Sequence, residues 1–308
     1  MSGYRLVTYL ENARPKAGLL CGERIVGLDA ILSPTSEAGP TTVLSVLEAW
    51  ETMRPLLSAA AARLAPDAGI AVAQAELLAP ILYPAAIFCS RGNYFDHLLE
   101  MAKIGGRPAP QNARETKEPY YVLKTSAHSV IGPNAAIPVP AFSAKLDWEA
   151  EIGVVIGKPT RNVSEDEAPA SVAGYVIVND VSARDVMTRE RDGMKHLYDW
   201  FEQKCFEGSA PMGPWLTPAE FVPDPYDLSI KLWLNDELKQ NGHSSNMVYS
   251  IAEQIAYLSR HVTLRPGDVI LTGCPSGVGM STGRFLKPGD RIRIEVSHCG
   301  TLENWVAA

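Results

Sequence analysis

Two carboxylates, Glu149 and Glu151, lie two residues apart within the segment LDWEAEIGVVIG, which spans residues 146–157. The apolar, β-branched run that follows, residues 152–156, predicts a buried strand. Because side chains alternate between the two faces of a strand, Asp147, Glu149 and Glu151 are expected to share one face. Like charges need compensation, so the segment indicates either a solvent-facing edge near lysines or oxygen ligands for a hard divalent cation.

A third carboxylate, Asp180, ends another apolar run, residues 174–179, that also predicts a buried strand. An aspartate at this position either caps the following helical turn or belongs to a site. Together with Glu149 and Glu151, Asp180 would form a three-carboxylate site for Mg²⁺ or Mn²⁺ that leaves positions for water and substrate.

A histidine and a glutamate three residues apart, His97 and Glu100, lie within RGNYFDHLLE. A helix is predicted over residues 93–104, ended by two glycines, and it places both side chains on one face. A carboxylate beside an imidazole orients the ring and raises its pKa, which suits a general base that activates water. The alternative is an ordinary His–Glu pair on the surface.

Basic and glycine-rich segments add two further features. Lys124, Arg184 and Lys204 follow predicted strands or lie near them, and each is either solvated surface or part of a site. The loop TGCPSGVG, residues 272–279, lacks the Lys-Ser/Thr pair of a phosphate-binding P-loop and opens no clear helix. We therefore interpret it as a tight loop that passes close to a ligand.

Composition limits the function classes. The chain has 308 residues, with 46% hydrophobic and 20% charged residues, which is typical of a globular enzyme of about two domains. A net charge of −7 makes general nucleic-acid binding unexpected. The five cysteines have no C-x-x-C spacing, which argues against a zinc site or a disulfide framework. With no signal-peptide pattern and no membrane-spanning run, a cytoplasmic protein is expected.

The elements that must position these residues are predicted mainly as strands. Residues 1–80 are expected to form a small N-terminal domain with a helix over residues 41–50, and residues 81–308 a catalytic domain. Capping boxes are predicted at Ser164–Glu167 and Ser250–Glu253. The polar, Pro- and Gly-rich segment 103–119 is predicted to be a lid over the site.

Taken in order along the chain, these segments resemble the fumarylacetoacetate hydrolase family. The resemblance runs from about Ile87 to the C-terminus and rests on GNYFDHLLE, LDWEAEIGVVIG, AGYVIVNDVSARD, the lysine in FEQKCFEGSAPMGPWL, LRPGDVILTGCPSGVG and LKPGDRIRIEV. It implies an α+β, β-rich fold, a mixed β-sandwich roll with a small N-terminal domain, assembled as a homodimer.

The resemblance also implies roles for individual residues. The metal ligands are expected to be Glu149, Glu151 and Asp180, holding one Mg²⁺ or Mn²⁺ per subunit. His97 and Glu100 match the helix-borne catalytic dyad, and Lys204 matches the site lysine. Substrate binding is assigned to four residues: Lys124, Arg184, Thr272 and Gly273.

The implied function is cleavage of a C–C bond in an acylpyruvate or other 2,4-diketo acid, a small anionic substrate, through a metal-stabilised enolate. The alternatives are a β-keto acid decarboxylase, a hydratase or isomerase that uses the same metal, and a binding protein without catalysis. Three positions depart from the family pattern: Met187 stands where glutamine is common, Cys274 where threonine is common, and Ser90 where the founding hydrolase has an acidic ligand.

Overall fold

The computed structural model describes residues 3–32, 42–110, 114, 118–191 and 194–308, and the side chains of residues 190–197 are not described. Helices α1 to α8 are Leu28–Ile31, Val43–Glu48, Trp50–Ala61, Phe95–Ile104, Ser126–Ser129, Trp200–Lys204, Ile251–His261 and Gly279–Thr282. Within the described residues, no helix is long and apolar enough to cross a bilayer.

Strands make up most of the regular structure. Strands β1 to β7 are Tyr4–Glu11, Arg14–Cys21, Arg24–Gly27, Ile70–Ala71, Leu77–Leu78, Ile87–Ser90 and Tyr121–Lys124. Strands β8 to β14 are Val130–Ile131, Ala136–Ile137, Leu146–Asp147, Ala150–Ile156, Val172–Asn179, Ser182–Ala183 and Thr188–Arg191. Strands β15 to β21 are Met194–Tyr198, Ala210–Pro218, Ser229–Leu234, Glu237–His243, Val269–Leu271, Arg291–Val296 and Gly300–Val306. The predicted α+β, β-rich class is confirmed.

A twelve-stranded mixed sheet carries the centre of the molecule. Its order is β4-β3-β2-β1-β16-β12-β11-β19-β6-β7, with β5 on β1 and β8 on β16. A five-stranded sheet, in the order β18-β17-β20-β21-β9, forms a second layer. Two strands of the large sheet, β11 and β12, are adjacent and antiparallel.

The apolar core lies on both faces of this central pair of strands. Alternate residues of β11, Ile152 and Val154, pack toward the five-stranded sheet and α7, in a cluster that includes Ile230 and Ile294. Val155 points to the opposite face and joins a cluster with residues of β1, β2, α2 and α3. Every residue of β11 is buried because both faces are covered, as the unbroken apolar run predicts.

The predicted N-terminal unit is hydrogen-bonded into the large sheet. Strand β1 pairs with β16 at Leu6 and Leu216, so the sheet continues across the predicted boundary near residue 80. Within the stretch predicted as a helix over residues 41–50, α2 begins at Val43 with the side chain of Thr42 as its cap. The two parts share one sheet and one apolar cluster. The division into domains 1–80 and 81–308 stays a prediction.

The capping predictions hold at both positions. Ser250 accepts a hydrogen bond from the Glu253 N–H, Glu253 reciprocates at the start of α7, and the helix ends at His261. Ser164 and Glu167 exchange the same pair of bonds before a short 3₁₀ turn. One prediction is wrong: the strand does not run unbroken through residues 147–149, because β10 ends at Asp147 and β11 begins at Ala150.

Candidate active site

Strand pairing sets the distance between the two acidic segments. Ala150 at the start of β11 is paired with Asn179 at the end of β12, so Glu149 and Asp180 flank the same end of the pair. The Asp180 N–H donates to the Glu149 carbonyl at 2.9 Å, and the Glu149 N–H donates to the Asn179 side chain at 3.0 Å. The backbone therefore fixes both carboxylates on a rigid element.

Two cations neutralise Glu149. Lys204 Nζ lies 2.8 Å from Glu149 Oε2 and 2.5 Å from Asp180 Oδ2, and so bridges the two carboxylates. Arg184 Nη2 lies 2.5 Å from Glu149 Oε1, while its Nε lies 2.8 Å from Asp147 Oδ2. Burial alone would raise the pKa of Glu149, but the charges of Lys204 and Arg184 outweigh burial and hold this pKa below its usual value.

Glu151 is in the opposite electrostatic situation. It is 1% exposed, and its Oε2 accepts a hydrogen bond from the Gly273 N–H at 2.6 Å. Burial, followed by the negative charges of Asp180 and Glu149, raises the pKa of Glu151 well above its usual value. Among the described residues no cation forms an ion pair with Glu151, and a carboxylate buried in this way calls for a positive ion.

The side chains around Glu151 fit a divalent cation. Ligand atoms of Glu149, Glu151 and Cys274 all lie within 4.8 Å of one another. The predicted third ligand, Asp180, lies on the same cavity, where its oxygens face Lys204 and Lys124 as those of Glu149 face Lys204 and Arg184, and its role as a ligand stays a prediction. Glu149 and Glu151 would hold the ion, with Asp180 and Cys274 adjacent. A carboxylate pair suits Mg²⁺ or Mn²⁺, and the thiol adds a softer donor.

These groups surround a small cavity of about 50 Å³. The lining residues are Ser90, Arg91, Gly92, His97, Glu149, Glu151, Asp180, Arg184, Gln203, Lys204 and Cys274. Six of the ten predicted site residues line it, and the predicted dyad member Glu100 contacts it through His97. The cavity joins segments that are far apart in sequence, so its walls depend on the tertiary fold.

The His97–Glu100 pair lies on one face of α4, as its spacing predicts. His97 Nδ1 is 3.4 Å from Glu100 Oε2, and both oxygens of Glu100 accept from the Gly277 N–H, at 2.9 and 3.1 Å. Burial would raise the pKa of Glu100, but the hydrogen bonds from His97 and Gly277 bring the pKa below its usual value. Glu100 is therefore ionised near neutral pH and can orient the imidazole.

The glycine-rich loop holds this helix against the sheet. The Ser276 N–H and hydroxyl both donate to Asp96 Oδ2 at 3.1 Å, one residue before His97. Gly277 has φ near 100°, and a Cβ atom there would lie 2.0 Å from the Lys239 carbonyl oxygen. Only glycine is compatible with both the positive φ and the close approach to Lys239. The loop can therefore present the Gly277 N–H to Glu100 on α4.

Two sequence interpretations need correction. Asp180 does not cap a helix, because its side chain pairs with Lys204 and Lys124. Asp147 does not share the cavity with the two glutamates. It accepts from the N–H groups of Gly279 and Met280 at 2.6 and 3.0 Å, since the strand break turns it toward α8.

The remaining predicted substrate contacts have different positions from those expected. Lys124 Nζ donates to three backbone carbonyls at 2.8–2.9 Å and lies 3.0 Å from Asp180, so no N–H remains for a substrate and the lysine instead positions Asp180. Thr272 is fully buried and lies outside the cavity lining, where its carbonyl accepts from Asn93. Gly273 acts through its N–H on Glu151.

The sequence interpretation missed two cavity residues, Arg91 and Gln203. Arg91 directly follows strand β6, and a charged residue at the end of an apolar strand is the same signal that identified Asp180. Gln203 carries no such signal, since its position beside Lys204 on α6 becomes informative only when the helix is placed.

The predicted lid, residues 103–119, falls partly on residues 111–113 and 115–117, which lie outside the described residues. Two flanking residues contact α7: Arg114 lies 2.6 Å from Glu253, and Glu118 lies 2.7 Å from Arg260. The lid itself remains a prediction.

Comparison with known proteins extends over the whole site. A family model described as fumarylacetoacetate (FAA) hydrolase, C-terminal, matches residues 86–307. Oxaloacetate tautomerase fahd2, mitochondrial, from Xenopus laevis is 40% identical over 231 residues, which are 74% of this chain and 67% of that protein.

Solved structures agree with the fold. Maleylpyruvate hydrolase from Sphingobium sp. SYK-6, in complex with manganese(II) ion and pyruvate, is 28% identical with a TM-score of 0.74 and 98% of each chain covered. The 5-carboxymethyl-2-hydroxymuconate delta-isomerase from Mycobacterium smegmatis is 27% identical with a TM-score of 0.70, covering 98% of this chain and 99% of that chain.

The matched residues 86–307 include every residue that lines the cavity, from Ser90 to Cys274, together with the Glu100 and Gly277 that support the dyad. The chain belongs to the fumarylacetoacetate hydrolase family.

Proposed function

We propose that the protein is a divalent-metal-dependent enzyme that hydrolyses a C–C bond in an acylpyruvate or another 2,4-diketo acid. The observation that carries this proposal is one cavity bounded by Glu149, Glu151 and Asp180 on one side and by His97 on the other. Carboxylates that attract a cation and an imidazole that can accept a proton are the two components that hydrolysis of such a bond requires.

A divalent cation held by Glu149 and Glu151 would supply Lewis-acid stabilisation of the negative charge that develops on the 2-oxo group of the substrate. The comparison with maleylpyruvate hydrolase supports a metal of this type, since that protein was solved with manganese(II) ion and pyruvate. The small anionic keto-acid substrates that the family resemblance implies are also compatible with a cavity whose lining includes the cations Arg91, Arg184 and Lys204.

The His97–Glu100 pair carries the proton transfer. His97 takes a proton from a water molecule as the water oxygen bonds to the distal carbonyl carbon, and Glu100 stabilises the imidazolium. The bond between carbons 3 and 4 then breaks, and its electron pair passes to the 2-oxo fragment. The His97 imidazolium returns its proton to carbon 3, which releases pyruvate, and the distal acyl group leaves as a carboxylic acid.

Lys204 and Arg184 hold Glu149 in its charged form within the acidic wall, which consists of Glu149, Glu151 and Asp180. Lys204 bridges Glu149 and Asp180, and Arg184 bridges Glu149 and Asp147, so Glu149 stays ionised. Both side chains are nearly buried, and their charges therefore act through a medium of low dielectric constant.

Oxaloacetate tautomerisation is a second candidate. It is supported by the 40% identity to the Xenopus laevis protein of that name and by the small volume of the cavity, about 50 Å³. In this reaction His97 removes a proton from carbon 3 of oxaloacetate, and protonation of the oxygen gives the enol. No attacking water is needed.

A substrate screen with metal-stripped and metal-restored protein separates the candidates. Acetylpyruvate and longer acylpyruvates report hydrolysis, whereas oxaloacetate reports tautomerisation by its ultraviolet spectrum and decarboxylation by carbon dioxide release. We expect Mg²⁺- or Mn²⁺-dependent loss of acylpyruvate. Turnover of oxaloacetate alone would replace hydrolysis by one of the two other reactions, and turnover of none of these acids would contradict an enzyme of 2-oxo acids.

Assembly and location are also proposals. A homodimer follows from the family resemblance, and light scattering of the purified protein tests it. A cytoplasmic location follows from the cysteine pattern, and fractionation of the cells that make the protein tests it.

A further inference from the structure

Arg91 is a cavity residue that the proposed reaction does not use. It follows strand β6 directly, and its N–H donates to the Tyr120 carbonyl at 2.9 Å. Its side chain lines the same cavity as Glu149, Glu151 and Asp180. The backbone is thus fixed at the end of β6, and the side chain shares the cavity with the three carboxylates.

Aromatic rings hold the guanidinium in place. Its Cζ atom lies 4.2 Å from the centroid of the Tyr198 ring and 5.9 Å from that of Tyr120. The Gln203 Oε1 atom accepts from Arg91 Nη1 at 3.5 Å and also accepts from the Tyr198 hydroxyl. Stacking holds the plane of the group and leaves most of its N–H edge available, because cation–π contact uses the face and not the donors.

The other cations of the site are already neutralised. Arg184, Lys204 and Lys124 each lie within 3.0 Å of at least one carboxylate oxygen. Among the described residues, Arg91 makes no ion pair, and its single side-chain hydrogen bond is a long one. Burial lowers the pKa of Arg91, and the more distant charge of Glu149 opposes that decrease. A partly buried cation with free donors is a binding site for an anion.

We propose that Arg91 binds a second carboxylate of the substrate, so that the enzyme prefers short 2-oxo dicarboxylates to 2-oxo monocarboxylates. This inference rests on the proposed function, because it takes the first carboxylate and the 2-oxo group to lie at the acidic wall. The planar fork of Arg91 matches a carboxylate in a bidentate arrangement, and Gln203 and the tyrosines hold it in the required orientation. Arg91 is thus a specificity residue, and Gln203 is a positioning residue.

Matched unreactive ligands test the second-carboxylate site without relying on turnover. Malate and 2-hydroxybutyrate have the same number of carbons and the same 2-hydroxy acid group, but only malate has a distal carboxylate. We measure the binding of each to the Mg²⁺-loaded full chain by calorimetry. Wild-type protein is expected to bind malate about ten- to a hundredfold more tightly, as a charge-assisted pair of hydrogen bonds allows.

Two substitutions locate that preference. Arg91→Gln should remove the preference for malate and leave 2-hydroxybutyrate binding unchanged, while Arg91→Lys should keep part of it. The control is Arg260→Gln, because Arg260 also stacks on a tyrosine, 5.3 Å from the Tyr257 ring, but lies outside the cavity. Unchanged 2-hydroxybutyrate binding shows that Arg91→Gln still folds.

Several results would overturn the inference: equal binding of the two acids by wild-type protein, binding of neither, or an Arg91→Gln variant that keeps the preference for malate. The substrate screen gives a separate answer. A wild-type protein that turns over no 2-oxo acid contradicts the proposed reaction, whereas the calorimetric preference still decides whether Arg91 is an anion site.

Discussion

The two sides of the cavity are built differently. Glu151 lies on β11, and Glu149 and Asp180 directly adjoin the paired ends of β11 and β12 in the middle of a sheet, where nearly every strand residue is buried. His97 and Glu100 lie on the ten-residue helix α4, of which only Ala102 is buried among the described side chains. The acidic wall is thus part of the core. The dyad helix α4 has few core contacts, and the loop residues Ser276 and Gly277 hydrogen-bond to its side chains Asp96 and Glu100.

This difference suggests a division of labour. Residues that must hold an ion with fixed geometry are placed on strands, where a shift would disturb the whole core. A proton acceptor that acts only after substrate has entered can be carried by a helix with few core contacts, since such elements open at lower free energy. The His97–Glu100 distance is long, 3.4 Å, as is common for catalytic hydrogen bonds in the absence of substrate.

We expect the largest effect from Glu151→Gln, a substitution in the acidic wall. The substitution removes the carboxylate whose pKa burial raises most clearly, while its amide oxygen can still accept from the Gly273 N–H. We expect activity to fall to background and divalent-metal affinity to be lost in calorimetry. The metal-free variant should be at least as stable as wild type in thermal unfolding, since a buried like charge has gone.

The control for Glu151→Gln is Glu237→Gln, which changes an exposed carboxylate far from the cavity. Unchanged metal affinity in the Glu151 variant, or a large loss of stability, would contradict a ligand role and indicate a structural one.

The next largest effect concerns the His97–Glu100 pair on α4. His97→Ala and Glu100→Gln should each lower kcat for acylpyruvate hydrolysis by about 10²–10⁴-fold, the usual contribution of a general base. The double variant should lose no more than the worse single variant, because the two residues act as one unit. Metal affinity should stay at the wild-type value in all three proteins.

Decarboxylation of oxaloacetate is the internal control for the His97 and Glu100 variants. That step needs no attacking water, so its rate should survive when hydrolysis is lost. Equal loss of hydrolysis and decarboxylation would show that the dyad is not a dedicated base for water and would favour a decarboxylase.

A pH series gives a third test of the same pair. The pKa of Glu100 is lowered in the folded protein, so its ionised form stabilises the fold above the unfolded-state value, about pH 4.3, and this contribution is lost as pH falls through the lowered pKa. The free energy of unfolding of wild type should therefore exceed that of Glu100→Gln by a constant amount above about pH 5. Chemical denaturation of both proteins at several pH values measures this difference in unfolding free energy. A difference that grows toward acid pH would contradict the lowered pKa of Glu100.

A smaller effect is expected from Gly277, the loop residue that contacts Glu100 on α4. Gly277→Ala forces a left-handed residue and a Cβ atom 2.0 Å from the Lys239 carbonyl oxygen, so we expect a loss of about 1–3 kcal/mol in unfolding free energy. Hydrolysis should fall while metal affinity stays unchanged. Gly289→Ala is the matched control, because its φ of 85° is similar but no atom lies within 4 Å. Equal destabilisation by both substitutions would mean that the contact with Lys239 is unimportant.

The smallest effect is expected from Cys274→Thr, which restores the residue common in the family. Since Cys274 lies beside Glu149 and Glu151, the variant should bind thiophilic metals more weakly but change kcat/KM with Mg²⁺ by less than about tenfold, or about 1.4 kcal/mol. Metal titrations with Mg²⁺ and Zn²⁺ measure this, with Cys21→Ser as the control. A tenfold or greater loss of kcat/KM with Mg²⁺ would show that the thiol acts together with the carboxylates of the acidic wall.

Local patterns in the sequence predict the rigid elements well. The apolar run after Glu151 identifies a buried strand, the Ser250–Glu253 spacing marks the start of α7, and the three-residue spacing places His97 beside Glu100. These features depend only on neighbours a few residues away, and backbone periodicity determines them.

Residue partners that come from distant segments could not be predicted in the same way. Alternation along a strand assigns Asp147 to the face of Glu149, but the chain breaks the strand between them, where Asp147 accepts from Gly279. The burial of Lys124 depends on the carbonyls of Val181, Lys204 and Ser209, which the fold alone assembles. Arg91 needs the positions of Tyr198 and Gln203 before its free donors become apparent.

The pairing of β1 with β16 has a consequence for synthesis of the protein. Leu6 leaves the ribosome early, but its partner Leu216 emerges more than two hundred residues later. After β5 pairs with Thr8 and Tyr9, the part of β1 around Leu6 must still wait through most of translation with one edge unpaired. We expect the nascent chain to depend on chaperones during this interval, and the completed protein to refold slowly, because so distant a contact must close before the central sheet is continuous.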